Sequence, residues 1–66
     1  MVRVFVISMS GKLHSCQISL DTDKCLRDGA LLRNQSRGFI LRRVIATYGE
    51  LTEYNIQRFM REIWRL

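Results

Sequence analysis

"VRVFVISMSGKLHSCQISL", residues Val2 to Leu20, is the stretch on which the fold turns. Its opening, Val2 to Ser8, is dense in β-branched and aromatic residues. Its close, Leu13 to Leu20, alternates His14, Cys16, Ile18 and Leu20 against Leu13, Ser15, Gln17 and Ser19. Both read as strands. A two-residue turn at Ser10 and Gly11 predicts Phe5 opposite Cys16 and Ile7 opposite His14, on an apolar face completed by Ile18 and Leu20. The other face then pairs Val4 with Gln17 and Val6 with Ser15. It is the wetter side, and the hairpin's edge stays open to another strand.

Working outward, residues 21–36 leave two elements open. Asp21 or Thr22 can cap a short helix running through Leu26, and the Asp28–Gly29 turn signal can introduce a third short strand over Ala30–Asn34. Beyond a boundary at Gly38 the pattern becomes helical. Ile40, Leu41, Val44, Ile45 and Tyr48 form an inward stripe that Gly49 terminates. Thr52 is then an N-cap with Glu53 in the first turn, and Ile56, Phe59, Met60, Ile63 and Trp64 form the stripe of a second helix. The expected class is α+β: an N-terminal β-hairpin packed on a C-terminal pair of α-helices. The whole chain, 1–66, reads as one domain without repeats or linkers.

A chain of 66 residues buries only about 60% of the surface its unfolded form exposes, so its stability margin is thin. Its net charge is +5, carried by nine arginines and two lysines against six acids. By segment the balance is +2 over residues 1–20, zero over 21–36 and +3 over 37–66. Forked guanidinium donors suit phosphate and carboxylate, so an anionic partner is expected.

Two cysteines and a short apolar opening without a cleavage site suggest neither a disulfide framework nor a secretory leader, so a cytoplasmic setting is expected. No apolar run approaches the roughly 20 residues a spanning helix needs, so no membrane role is expected. His14 and Cys16 with Cys25 and Asp21 or Asp23 lack the paired spacing of a metal site. The same His14 and Cys16 stand about 6 to 7 Å apart along a strand, beyond general-base reach. Glu50, Glu53 and Glu62 do not converge, and the single glycines build no phosphate loop. The expectation is a protein that is not an enzyme and needs no metal or cofactor.

The candidate binding residues come from helical geometry. At 100° per residue, Tyr54, Arg58, Arg61 and Arg65 fall within about 60° of one another, opposite the apolar stripe. Arginines one turn apart, headed by a tyrosine, can follow successive phosphates; they are also what any solvated helix face can carry. Glu62, four residues after Arg58, is placed to pair with it. Arg42 and Arg43 lie on the outer face of the preceding helix. Phe39 falls there too, unless it sits at the helix entrance and packs inward as a staple.

"ILRRVIATYGELTEYNIQRFMREI", Ile40 to Ile63, resembles the opening of a helix-turn-helix or winged-helix domain: an apolar helix stopped by glycine, then a Glu-Leu-Thr turn into the next helix. The resemblance implies that Thr52, Tyr54, Asn55 and Arg58 face a groove. No residues remain after Leu66 for the recognition helix and wing that follow in winged-helix proteins, and no family is assigned. Two functions follow as expectations. The first is a small regulator that binds nucleic acid, DNA ahead of RNA, through Tyr54, Arg58, Arg61, Arg65, Arg42 and Arg43. The second is a small inhibitor of the phage or mobile-element type that occupies an acidic protein surface. Either accommodates a homodimer through Phe59, Ile63 and Trp64.

Overall fold

The computed structural model describes residues 1–62. Strands β1 (Val2–Ile7) and β2 (Leu13–Ile18) form a two-stranded antiparallel sheet, followed by helices α1 (Leu20–Leu32), α2 (Arg37–Tyr48) and α3 (Glu53–Glu62). The α+β class and the hairpin hold. The middle of the chain is a third helix, not a strand.

The hairpin register differs by one residue from the expected one. Val4 stands opposite Cys16, Phe5 opposite Ser15, Val6 opposite His14 and Ile7 opposite Leu13. The cause is the loop. Gly11 N–H donates to Ser8 C=O and Ser8 N–H donates to Lys12 C=O, both at 2.9 Å, so Met9, Ser10 and Gly11 form a three-residue connection. Gly11 takes φ +88°, the left-handed position that such a connection requires. A one-residue slip exchanges the two faces of a strand. Val4, Val6 and Ile18 therefore enter the core, and Phe5, Ile7 and Leu13 look outward. The valine side expected to be wet is the buried one.

Helix α1 starts two or three residues earlier than expected. Ser19 is its N-cap, accepting from Thr22 N–H, and Asp21 and Asp23 occupy the first turn. The Asp28–Gly29 pair does not break it: Gly29 and Ala30 lie on the buried face with Leu26. The helix ends instead at Leu32 with Arg33 as its C-cap, and Asn34 just beyond takes φ +55°, with Gln35 N–H donating to Ala30 C=O at 2.9 Å. That six-to-one bond is the Schellman closure, and asparagine tolerates the left-handed position better than other residues with a Cβ.

The other two helices follow their caps. Ser36 accepts from Phe39 N–H at the start of α2, and Gly49, at φ +91°, donates to Ile45 C=O at its end. Thr52 Oγ1 accepts from Asn55 N–H at the start of α3. Since α2 begins at Arg37, Phe39 lies inside its first turn and is 43% exposed, so it is no inward staple.

Helices α2 and α3 cover one face of the sheet, and α1 packs on both. Helix α2 packs on β1 and α3, α1 packs on α2 and α3, and α3 packs on β2. Val4, Val6, Ile18, Leu26, Ala30, Ile40, Leu41, Val44, Leu51, Ile56 and Phe59 form the core, with Val2, Cys16, Ile45, Tyr48 and Met60 packed against it. Phe59 is among the fully buried side chains, which removes it from the expected dimer surface; Ile63 and Trp64 lie outside the described residues.

The register makes a sharp prediction. Val4→Lys places an ammonium in the core and should cost about 3 kcal/mol or more, enough to unfold a domain of this size. Phe5→Lys, on the uncovered face of the neighbouring residue, should shift stability by about 0.5 kcal/mol or less. Thermal unfolding followed by circular dichroism checks both; the register expected from a two-residue turn gives the reverse order.

Candidate nucleic-acid interface

Charge on this molecule is sorted by a few short contacts. Glu53, the first residue of α3, reaches across to the start of α1. Its Oε2 accepts from Ser19 N–H at 2.9 Å and from Thr22 Oγ1 at 2.7 Å. Thr22 Oγ1 in turn accepts from Ser19 Oγ at 3.1 Å and from Gln57 Nε2 at 3.0 Å, so its one donor and two acceptor sites are all used. In a capping box a glutamate of the same helix reaches back to the N-cap N–H; here α3 supplies that carboxylate to α1. The arrangement also places a negative charge at the positive end of the α1 dipole. The hydrogen bond from Ser19 N–H, then those from the Thr22 and Ser19 side chains, hold the Glu53 carboxyl below its ordinary value of 4.5.

A second carboxylate serves the opposite junction. Asp23, buried on α1, accepts from Arg37 Nη2 at 2.7 Å and lies 3.5 Å from Arg27 Nε. It ties α1 to the first residue of α2. Neither Glu53 nor Asp23 carries any sequence motif for these roles. Glu53 was legible only as a first-turn acid and Asp23 had no such reading, because their partners are brought in by tertiary packing.

Three residues of the expected stripe fall within the described part of α3. Tyr54, Arg58, Arg61 and Glu62 line one open cleft of about 280 Å³. Arg58 Nε donates to Glu62 Oε2 at 3.0 Å, the pair expected from their spacing, and its guanidinium carbon sits 5.0 Å from the centre of the Tyr48 ring. Glu62 raises the Arg58 pKa, chiefly through that hydrogen bond. Arg58 is thus held between a carboxylate and an aromatic face. Arg61 is exposed and engaged in a contact of its own. Arg65 lies outside the described residues.

On α2, Arg42 and Arg43 are both exposed. Arg42 Nε donates to the Ile7 carbonyl at 3.1 Å, which draws its head to the rim of the hairpin. The bonding at Ser8 and Lys12 fixes the alternation of an antiparallel ladder, so the Ile7 carbonyl points away from β2 and along the free edge of β1. Thr52 and Asn55, placed at a groove by the helix-turn-helix resemblance, spend their polar groups locally. Thr52 caps α3 and Asn55 Nδ2 donates to the Glu50 carbonyl at 3.2 Å.

His14 and Cys16 alternate with outward residues on the covered side of the sheet. Burial, and then the charge of Glu53, push the Cys16 thiol upward, while Arg3 pulls it the other way. A raised thiol pKa is the opposite of what a nucleophilic cysteine needs. Cys16 and Cys25 are both free thiols. No protein-family model matches this chain, and no curated protein and no solved structure matches it.

The Glu53 contact predicts a pH dependence with a definite sign. A carboxyl whose folded pKa is depressed contributes stability that is complete above its unfolded value and is lost as pH falls through the folded one. Stability should therefore drop on acidification below the ordinary value of 4.5. Glu53→Gln should be less stable at neutral pH and should flatten that acid limb, measured by urea unfolding at several pH values. Thr22→Val, which strands Gln57 and one Glu53 lone pair, should cost about 1 to 2 kcal/mol at neutral pH.

Proposed function

We propose that this chain is a small non-catalytic protein that binds nucleic acid through its exposed cations, DNA ahead of RNA. The observation that carries the reading is how the acids are used. Asp23 is committed to Arg27 and Arg37, Glu53 to the α1 N-terminus, and Glu62 to Arg58. No carboxylate among the described residues lies within ion-pair distance of Arg3, Lys12, Arg42 or Arg43. Asp21, Asp28 and Glu50 stay exposed on α1 and in the turn before α3, so the cationic excess lies on the hairpin and the outer face of α2, and such an excess favours a polyanion over a neutral ligand, because each contacted phosphate releases a condensed counterion.

Arg43, Tyr54 and Arg61 supply contacts from α2 and α3, with Arg42 at the hairpin rim. No helix among the described residues is long and apolar enough to cross a membrane. A cytoplasmic location suits a ligand of this kind.

Binding to a labelled duplex, followed by anisotropy over a range of salt, tests the reading. Four phosphate contacts give a log-log slope of about −3.6, and Arg43→Ala should make it shallower by about one. Arg58→Ala should change it little, because Glu62 already holds that guanidinium. Glu62→Gln should release it and steepen the slope. A salt-independent affinity, or no binding at low salt, overturns the reading.

A further inference from the structure

The uncovered face of the hairpin carries Arg3, Phe5 and Ile7 from β1 and Leu13, Ser15 and Gln17 from β2. Phe5 is 59% exposed, Ile7 52% and Leu13 61%. The apolar residues are neighbours: Ile7 stands directly opposite Leu13, and Phe5 is the next outward position on β1. These are the pairs without mutual hydrogen bonds, where facing side chains come closest. Arg3 Nη1 contacts Ser15 Oγ at 3.4 Å, and Ser15 is the cross-strand partner of Phe5, so the Arg3 head lies over the face next to the ring.

The charge of this surface has one sign. Residues 1–20 contain Arg3 and Lys12 and no aspartate or glutamate. Arg42 adds a third cation at the rim through its bond to the Ile7 carbonyl. The carboxylate that acts on β2, Glu53, is tied to Ser19 and Thr22 on the covered side.

We propose that this hairpin face binds a single-stranded polynucleotide, with one base stacked on Phe5, the next against Ile7 and Leu13, and phosphates held by Arg3, Lys12 and Arg42. The inference rests on the nucleic-acid reading and gives it a site and a strand state. An exposed aromatic ring on a sheet surface can offer its face, and only unstacked bases can present a face in return; in a duplex they are covered by their neighbours. The spacing agrees. Outward residues on one strand are about 6.6 Å apart, near the span of one nucleotide in an extended strand. Ser15 and Gln17 border the ring with hydroxyl and amide groups that can reach base edges. An acidic protein surface would satisfy the cations and leave the ring and Ile7 without a matching apolar counterpart.

The test compares labelled twelve-nucleotide oligothymidylate and oligouridylate with a duplex of mixed sequence, at low and at near-physiological salt. Phe5→Ala should weaken binding of the single strands by about ten-fold or more and leave the salt slope unchanged, because stacking carries no counterion term. Phe5→Trp should restore the affinity. Arg3→Gln should make the single-strand slope shallower by about 0.7, and duplex binding should change less than two-fold in Phe5→Ala. The oligothymidylate and oligouridylate arms separate DNA from RNA. Circular dichroism confirms that these surface variants are folded. Unchanged single-strand binding by folded Phe5→Ala overturns the hairpin site and leaves salt-dependent binding elsewhere intact. Absence of wild-type binding to every probe overturns both readings. Self-association that disappears in Phe5→Ala, with no oligonucleotide effect, assigns the face to a second copy and overturns the proposal.

Discussion

Gly11 in its left-handed conformation, closing a three-residue loop against Ser8, sets which half of the hairpin meets the helices. β-Strand side chains alternate, so the loop length acts on every position of both strands at once. With Ser8 held opposite Lys12, Val4 and Val6 are delivered to Ile18, Leu26, Ile40, Leu41 and Val44, and the core closes. Shorten the connection by one residue and two valines exchange places with a phenylalanine and an isoleucine. The new inward pair would be larger, and three helices shaped around valine would have no room for it. The same constraint leaves Phe5, Ile7 and Leu13 in water. The core and the candidate binding face are therefore two consequences of one turn.

A domain of this size has little apolar surface with which to hold three helices in place, and polar contacts at the helix ends supply what the core does not. Glu53 joins α3 to the start of α1, and Asp23 joins α1 to the start of α2. Each is a long-range contact made by a residue near a helix N-terminus, where a carboxylate also meets the helix dipole favourably. These roles have an electrostatic by-product. Glu53 and Asp23 are held at helix junctions away from Arg3, Lys12, Arg42 and Arg43, so the basic residues of the hairpin and of the outer face of α2 are not paired by a described carboxylate.

Much of this was readable from residue order, and the failures have identifiable causes. Helices α2 and α3 announced themselves through Gly49, Thr52 and stripes at helical spacing, and the structure places Ile40, Leu41, Val44, Ile56 and Phe59 in the core. Local chemistry and tertiary packing agree there. In α1 they disagree: Asp28 and Gly29 form a turn signal by local preference, yet Gly29 lies inward beside Ala30 and the helix runs on to Leu32. The hairpin was recognised and its register was not, because Ser10–Gly11 is compatible with loops of two or three residues and the valine and phenylalanine faces are both apolar. Of the candidate site, the clustering of Tyr54, Arg58 and Arg61 and the Arg58–Glu62 pair followed from helical spacing. The drawing of Arg42 to the Ile7 carbonyl did not, since no one-dimensional pattern relates residues on different elements.

These contacts also bear on how two cationic surfaces of one small protein can differ in kind. On α3 a carboxylate sits within the cluster, so Arg58 must give up Glu62 before it can take a phosphate in the same geometry, and its net gain is reduced by what it relinquishes. On the hairpin the competing acceptors are a serine hydroxyl at 3.4 Å and a backbone carbonyl, neither of which carries charge. Exchange of a neutral acceptor for a phosphate oxygen is favourable, because hydrogen bonds to ionised acceptors are shorter and stronger. On the proposed reading, the hairpin would combine the lower electrostatic cost of engagement with the exposed ring, while the helix face would add long-range attraction to the same polyanion. Steering by one surface and seating on the other need no further element of the fold.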